Sequence, residues 1–138
     1  MVETVKRKMY VELPIKVKSY DTDYMQIVSN TVYVKWFEDL RMEILDKYFP
    51  LNDMLKENKT PILSETHIKY IRPITLKNNP IGKAWVSELG KSKWIIDLQI
   101  WENDTLHCEG QQVGYYFDMT INKPTRFNQE FLDYYNSL

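Results

Sequence analysis

The 138-residue sequence has little of several features that mark particular classes of protein. Its single cysteine, Cys108, excludes an intrachain disulfide and a cysteine-based metal site, so we expect a small buried thiol in a strand. With only four glycines and six prolines, no disordered tract is indicated. The segment from Met1 to Leu13 has no apolar run long enough for a signal peptide, and nothing later approaches a membrane span. We therefore expect a cytoplasmic protein without a membrane partner.

An excess of charge of one sign is also missing. The formal net charge is −1, and 18 Lys and Arg residues are scattered among 19 Asp and Glu residues. Without a basic stripe there is no general attraction to phosphate polymers, and no nucleic-acid partner is expected. Apolar residues make up 43% and charged residues 27%, as in ordinary globular proteins. At this length one core is expected, which makes residues 1–138 a single domain.

The first third of the chain predicts a strand, a loop and a long helix. Leu13 to Tyr20 alternates apolar and polar residues, which indicates a strand with one wet face. From Asn30 to Phe49 apolar residues recur at helical spacing, with Asn30 as the expected N-cap and Pro50 as the stop. The next segment, Leu51 to Asn58, is compatible with a short second helix or with a loop.

Beyond the helix the apolar period changes to two. Four β-leaning runs are predicted over residues 60–73, 80–89, 92–102 and 105–119, and a short terminal helix over 126–138. The separators Asn78-Asn79-Pro80, Gly90-Lys91 and Asn103-Asp104 are typical of hairpin turns. Consecutive strands joined by short turns make an antiparallel sheet of about five strands, and the single long helix must cover one of its faces. This α+β arrangement is called the hotdog fold.

A short acidic loop, Tyr20-Asp21-Thr22-Asp23, stands just before the long helix. A helix start presents unpaired N–H groups and a positive dipole end, which can polarise an acyl oxygen while a nearby carboxylate attacks or activates water. The arrangement therefore suits carbonyl chemistry. Plain capping and turn chemistry is the alternative for such a loop, and Asp21 is expected to fix it by accepting backbone N–H bonds.

The same segment resembles the signature of hotdog-fold acyl-CoA thioesterases of the 4-hydroxybenzoyl-CoA thioesterase type. A second stretch, Thr60-Pro61-Ile62-Leu63-Ser64 with Tyr70 and Pro73 after it, resembles the strand that follows the helix in that family. One departure is Gln26, which stands where many relatives have Gly. The matching positions of the first segment are Tyr20, Asp21, Asp23, Ile27, Val28, Asn30, Tyr33, Trp36, Phe37 and Glu38.

The resemblance implies hydrolysis of an acyl-CoA thioester to free acid and CoA. By that resemblance Asp23 is the nucleophile or the general base, and Asn30 offers its backbone N–H to the thioester carbonyl and its side chain to the water or acyl oxygen. Coenzyme A enters only as part of substrate and product, and no cofactor is expected. No metal is expected either, because His67 and His107 have no ligand partners at recognisable spacing. The expected substrate contacts are Gln26, Ile27, Val28, Tyr33, Ser64 and Glu65.

Several alternatives stay open. Ser64 and Glu65 also fit a solvated strand face, and the acyl group could be carried by acyl carrier protein instead of CoA. A dehydratase or hydratase of the same fold is disfavoured, because those usually pair an acid with a histidine and none occurs between Asp23 and Tyr48. A non-catalytic domain that binds an acyl thioester or a protein is a further alternative, because Gln26 and Ser29, the latter in place of a frequent aromatic residue, depart from the family pattern. An open edge strand predicts a homodimer or homotetramer.

Overall fold

The computed structural model of the protein describes residues 6–138. An antiparallel sheet with strand order β1-β3-β4-β5-β2 carries a short sixth strand beside β5, and one long helix, α1, packs against the sheet. The α+β hotdog arrangement predicted from the sequence is confirmed. The elements are β1 (Val11–Pro14), α1 (Asn30–Tyr48), α2 (Leu51–Lys56), β2 (Lys59–Tyr70), β3 (Ile81–Leu89), β4 (Lys93–Glu102), β5 (Thr105–Asp118), β6 (Lys123–Pro124) and α3 (Gln129–Ser137), with a 3-10 turn at Ser19–Asp21.

Helix α1 forms where the apolar spacing predicts it, because that spacing places one continuous stripe against the sheet. Close approach depends on Gly110 of β5. A Cβ atom at that position would run into the Phe37 ring and would lie 2.8 Å from the carbonyl oxygen of His67. The buried residues of α1 are Val32, Tyr33, Trp36, Phe37, Leu40, Ile44 and Leu45.

Within the described chain, no helix is both long and apolar enough to cross a membrane.

The predicted helix cap is wrong by one residue. Ser29, not Asn30, occupies the N-cap position, with extended backbone angles of φ −65° and ψ 142°, and Asn30 is already helical. The reason lies in the preceding loop, since the Ser29 N–H donates to the Asp21 carbonyl at 2.9 Å and keeps Ser29 extended. The Ser29 hydroxyl makes no capping bond and instead lies 3.1 Å from the Thr31 hydroxyl.

The first strand also differs from its prediction. It covers Val11–Pro14 instead of the predicted 13–20, because its pairing partner β3 begins at Ile81, directly opposite Pro14. One further bond, from the Ile15 N–H to the Pro80 carbonyl at 2.8 Å, continues the pairing before the chain leaves the sheet. The alternation of apolar and polar residues therefore extends beyond Pro14, but no neighbouring strand within residues 6–138 is available there for pairing.

Two of the three predicted hairpin turns are confirmed. Gly90 donates its N–H to the Lys93 carbonyl at 2.7 Å between β3 and β4, and Asn103, at φ 52°, turns the chain between β4 and β5. The third prediction, residues 78–80, is wrong, because β2 pairs with β5 while β3 pairs with β1 and β4. The segment between β2 and β3 is therefore a crossover to another part of the sheet. The other predicted strands and the terminal helix are confirmed with small shifts at their ends, and the undecided segment is helix α2.

Strand β2 is the long edge of the sheet. It pairs with β5 along one side, and no strand within residues 6–138 covers its other side. A bulge between Leu63 and Glu65 leaves Ser64 as the extra residue, and the Ser64 hydroxyl donates to the Val113 carbonyl at 3.0 Å. Most residues of this strand are exposed. An uncovered strand of this length has backbone groups free to pair with another chain.

Candidate active site

The loop before α1 is a tight, internally bonded unit. Thr22 and Val28 pair as an isolated antiparallel bridge, and between them the Asp23 N–H donates to the Ile27 carbonyl at 2.9 Å. Gln26 lies at the tip of this loop with φ 61° and donates its N–H to the Asp23 carbonyl at 2.9 Å. A positive φ is the conformation that glycine adopts without strain, so this position is one where Gly would suit the backbone.

The Asp23 carboxylate is exposed and has its orientation set by its own loop. Its Oδ1 accepts the Met25 N–H at 2.8 Å and the Ile27 N–H at 3.2 Å. Within residues 6–138, Oδ2 accepts no hydrogen bond. One carboxylate oxygen is thus bound by amides of its own loop, and the other is free in the exposed loop that precedes the helix.

Asp21 has a different role from Asp23. Only 9% of its surface is exposed, its Oδ2 accepts the Lys18 N–H at 2.9 Å, and its carbonyl accepts the Ser29 N–H. The predicted function of Asp21, fixing the loop through backbone N–H bonds, is confirmed. Since Asp21 ties the 3-10 turn to the residue that precedes α1, it sets where the helix starts.

The start of α1 is anchored from the other side by the segment before β3. The Val28 N–H donates to the Ile74 carbonyl at 2.8 Å, and Ile27 pairs with Thr75. The first N–H groups of a helix have no carbonyl four residues back to bond with, and they carry the positive end of the dipole. In the described part of the chain, the N–H groups of Asn30 and Thr31 have no hydrogen-bond acceptor. A carbonyl oxygen placed there would meet donors held in a fixed direction.

A cavity of about 220 Å³ opens at this helix start. Four of the residues predicted as site residues, Ile27, Val28, Asn30 and Tyr33, line it together. Burial raises the pKa of Tyr33 to about 12, so its phenol is neutral at physiological pH. The other lining residues are Tyr70, Ile71, Arg72 and Pro73. The wall is therefore apolar and aromatic, apart from Asn30 and Arg72.

The structure does not bring every predicted residue to this cavity. Asp23 and Gln26 belong to the adjacent loop and do not line it. Glu65 pairs with Val113. Thr66 and Tyr70 of the same strand bond toward the helix side. Since side chains alternate between the two faces along a strand, Glu65 lies on the sheet face away from α1. Ser64 lies in the bulge with its hydroxyl bonded to backbone. As contacts of an acyl group, Ser64 and Glu65 stay predictions.

Sequence reasoning gave no site role to Tyr70, Ile71, Arg72 or Pro73, which make up half of the cavity lining. Tyr70 ends β2, and its ring meets the Tyr33 ring edge-on, with centroids 5.2 Å apart and planes at 71°. Alternation along β2 could have predicted that Tyr70 faces the helix. No sequence signal could have placed Ile71 and Arg72, since both follow the strand end and bond through their N–H groups to the His107 carbonyl.

Other polar groups lie away from the helix start. The Arg41 guanidinium donates to Gln112 at 2.8 Å, Gln112 donates to Thr66 at 3.3 Å, and burial lowers the pKa of Arg41. This network links α1, β5 and β2. In the described chain, no buried side-chain nitrogen or oxygen lacks a hydrogen-bond partner. Three larger hollows, of about 400, 500 and 430 Å³, are not lined by Asp23 or Asn30, although Asp21 and Val32 line the one of 500 Å³. Within residues 6–138 no three His, Cys, Asp or Glu side chains form a metal site.

Comparison with solved structures agrees with this architecture. DHNA-CoA thioesterase from Staphylococcus aureus is 22% identical, with a TM-score of 0.81 over 93% of this chain and 87% of that one. A predicted thioesterase from Bacillus stearothermophilus is 17% identical, with a TM-score of 0.82 over 93% and 95%. The protein SAV2348 from Staphylococcus aureus, solved in complex with CoA, is 14% identical, with a TM-score of 0.85 over 98% and 89%. At such identities the likeness shows the fold alone.

No curated protein matches the chain in sequence. The family model of the thioesterase-like superfamily does match, and it covers residues 17–134. That range includes the acidic loop, the whole of α1 and all of the lining of the cavity at its start. The chain therefore belongs to the thioesterase-like superfamily.

Proposed function

We propose that this protein hydrolyses an acyl-CoA thioester to a free acid and CoA. The observation that carries the proposal is the pairing of an oriented, accessible carboxylate, that of Asp23, with unpaired amides at the start of α1. Family membership supports thioester hydrolysis in general. The CoA complex of SAV2348 and the activity named for the S. aureus DHNA-CoA thioesterase favour CoA as the thiol.

The chemistry asks little of the protein beyond these groups. In one route Asp23 removes a proton from water and the hydroxide attacks the thioester carbonyl; in the other, Asp23 attacks it directly and water cleaves the resulting anhydride. In both routes negative charge develops on the carbonyl oxygen, where N–H groups of the helix start stabilise it. The C–S bond then breaks to release a thiolate, a good leaving group because the pKa of a thiol is about 8.5. Asn30 is proposed to offer its N–H and its side-chain amide.

A second copy of the chain is part of this proposal. Asp23 and the cavity are adjacent, yet within one chain no wall encloses both. Strand β2 has an uncovered edge of twelve residues, and pairing it with another copy would continue the sheet and bring new side chains beside the helix start. We propose a homodimer built on β2, with a tetramer as its possible doubling. Ser64 and Glu65 would then lie at or near the interface.

The decisive experiment is thiol release from a panel of acyl-CoAs by the wild type and the Asp23→Asn variant. Asparagine keeps the Oδ1 acceptor for the Met25 and Ile27 amides, so the loop is preserved and only the charge is lost. We expect kcat/KM to fall at least a hundredfold, about 2.7 kcal/mol of transition-state stabilisation.

Asp118→Asn is a matched control for this experiment. The Asp118 Oδ1 accepts the Thr120 N–H at 2.9 Å in the same two-residue pattern that Asp23 makes with Met25, but it lies at the far end of β5. We expect this variant to keep wild-type kcat/KM. Full activity of Asp23→Asn would refute the proposed role of Asp23.

The alternative functions give different outcomes in the same assay. Tight binding of acyl-CoAs with no thiol release from any of them would favour a binding domain over an enzyme. Release from acyl carrier protein thioesters but not from CoA thioesters would change the thiol carrier and keep the reaction. Size-exclusion chromatography with light scattering tests the proposed dimer, which a monomer at micromolar concentration would contradict.

A further inference from the structure

Tyr70 makes a contact with the helix start that its position in the sheet does not require. It is the last residue of β2, and its hydroxyl donates to the Asn30 carbonyl at 3.3 Å. The edge-on contact with Tyr33 holds the ring. With 44% of its surface exposed, Tyr70 is not held in place by burial alone. Its hydroxyl thus bonds to the first residue of α1, forty positions away in the sequence.

The bond to the Asn30 carbonyl has a consequence for the neighbouring amide. The Asn30 carbonyl and the Thr31 N–H belong to one planar trans peptide and point in opposite directions. In a helix the carbonyl points toward the C-terminus, so the N–H of that peptide points out of the helix start. A donor bound to the carbonyl therefore restrains the direction of the Thr31 N–H. It also polarises the peptide and makes the N–H a stronger donor.

We propose that Tyr70 is a positioning residue, which aims and strengthens the Thr31 amide as a donor to the thioester carbonyl oxygen. This inference rests on the proposed function, since it assumes that the carbonyl binds at the helix start. Tyr70 acts through the peptide and not by proton transfer. Stabilisation of developing charge depends on donors held in advance at the right distance and angle, so loss of the restraint lowers the rate more than substrate binding.

The test compares Tyr70→Phe with the wild type in the thiol-release assay. Phenylalanine retains the ring that contacts Tyr33 and removes only the hydroxyl. We expect kcat to fall roughly 3- to 10-fold, the range that loss of one uncharged hydrogen bond produces, with KM changed less than twofold. A rise in KM at unchanged kcat would overturn the inference, because it would mean simple substrate contact.

A matched control is Tyr134→Phe. Tyr134 has the same exposed fraction, 44%, lies on α3 and is remote from the cavity. We expect wild-type kcat and KM for it. Thermal unfolding of both variants identifies a folding defect, and a melting temperature of Tyr70→Phe equal to that of the control ties any loss in kcat to the site.

A second measurement does not depend on turnover. The probe is a benzoyl-CoA analogue in which CH₂ replaces the thioester sulfur, labelled with ¹³C at the carbonyl; a benzoyl group suits a cavity lined by Tyr33 and Tyr70. Hydrogen bonds from amides deshield a carbonyl carbon, so we expect the bound resonance to move upfield in Tyr70→Phe relative to the wild type. Equal resonances in the two proteins would overturn the inference.

The two proposals fail in distinguishable ways. If the hydrolase proposal is wrong, the wild type releases no thiol, yet the labelled analogue still reports whether Tyr70 affects the amide. If the Tyr70 inference alone is wrong, Asp23→Asn loses activity while Tyr70→Phe matches the wild type in both kcat and carbon resonance.

Discussion

The two ends of helix α1 are built on opposite principles. Its start combines an apolar cavity with exposed polar groups: a carboxylate fixed by loop amides, a left-handed Gln26 and unpaired N–H donors. Its end runs into a cluster of aromatic rings, where Phe49 stacks on Phe131 at 4.1 Å and Tyr116 stacks on Phe127 at 5.0 Å. The start has groups that can act on a ligand, whereas the end has groups that exclude water.

This contrast suggests that stability and activity can be separated along one helix. The aromatic end buries large apolar surfaces, which dominate folding free energy. The start has several hydrogen bonds between exposed groups, which contribute little to stability individually but set the geometry of the loop. Substitutions at the end should therefore alter unfolding more than those at the start, and catalysis should respond only to substitutions at the start.

The largest expected effect is at the aromatic end. Phe131→Ala removes a ring that is 93% buried in its contacts with Phe49 and Phe127, and we expect a loss of about 3 kcal/mol in the free energy of unfolding. Urea denaturation measures it, with the exposed Tyr134→Ala on the same helix as control, expected to cost less than about 1 kcal/mol. At a temperature where Phe131→Ala is folded, its kcat should equal that of the wild type. A large drop in kcat would mean that the two ends are coupled.

The next effect concerns pH and the buried groups under the helix start. Burial raises the pKa of Cys108 from 9.0 to about 12, and the pKa of Tyr33 from 10.0 to about 12. Above pH 9 the unfolded chain loses these protons while the folded chain keeps them, so the unfolded state binds fewer protons and stability falls as pH rises toward 12. Each such proton adds a slope of up to about 1.4 kcal/mol per pH unit.

Cys108→Ala tests this prediction. Its free energy of unfolding, measured in urea between pH 6 and 11, should fall less steeply above pH 9 than that of the wild type, because the group that ionises first in the unfolded chain is gone. Below pH 8 the two curves should be parallel. An equal slope in both proteins above pH 9 would mean that the thiol is not protected from ionisation in the fold.

The smallest expected effect is at the loop tip. Gln26 has φ 61°, where a β-branched side chain is strained, so Gln26→Val should destabilise the fold by about 1 to 2 kcal/mol. Gln26→Gly relieves the strain but adds freedom to the unfolded chain, and we expect it to remain within about 0.5 kcal/mol of the wild type. Thermal unfolding compares the two. Equal stability of the valine and glycine variants would contradict the left-handed backbone at this position.

The prediction of the long helix from the sequence was accurate because its signal is local. Apolar residues at helical spacing over nineteen positions define both the element and the face that it buries, and Pro50 stops it. The four later β runs were found for the same reason. Errors occurred where a distant partner decided the outcome: Ser29 is the cap because Asp21 holds its N–H, and β1 ends at Pro14 because β3 begins opposite it.

The candidate site divides in the same way. The loop residues Asp21 and Asp23 and the helix-start residue Asn30 are close in sequence, and spacing alone placed them together. Tyr70 and Arg72 join them only because β2 crosses the sheet to pair with β5 instead of β3, which brings the end of β2 to the start of α1. Strand order depends on contacts between residues far apart along the chain, and periodicity within one segment carries no information about it.

For this protein, local spacing of apolar and polar residues was sufficient to identify the helix, the strands and the acidic loop before α1. Long-range packing decided the rest: which strands are neighbours, that Gly110 lets Phe37 approach the sheet, and that the Tyr70 hydroxyl reaches the first carbonyl of the helix. The physical reason is that backbone conformation follows from neighbouring residues, whereas pairing and close contact are settled only when the whole chain competes for one core.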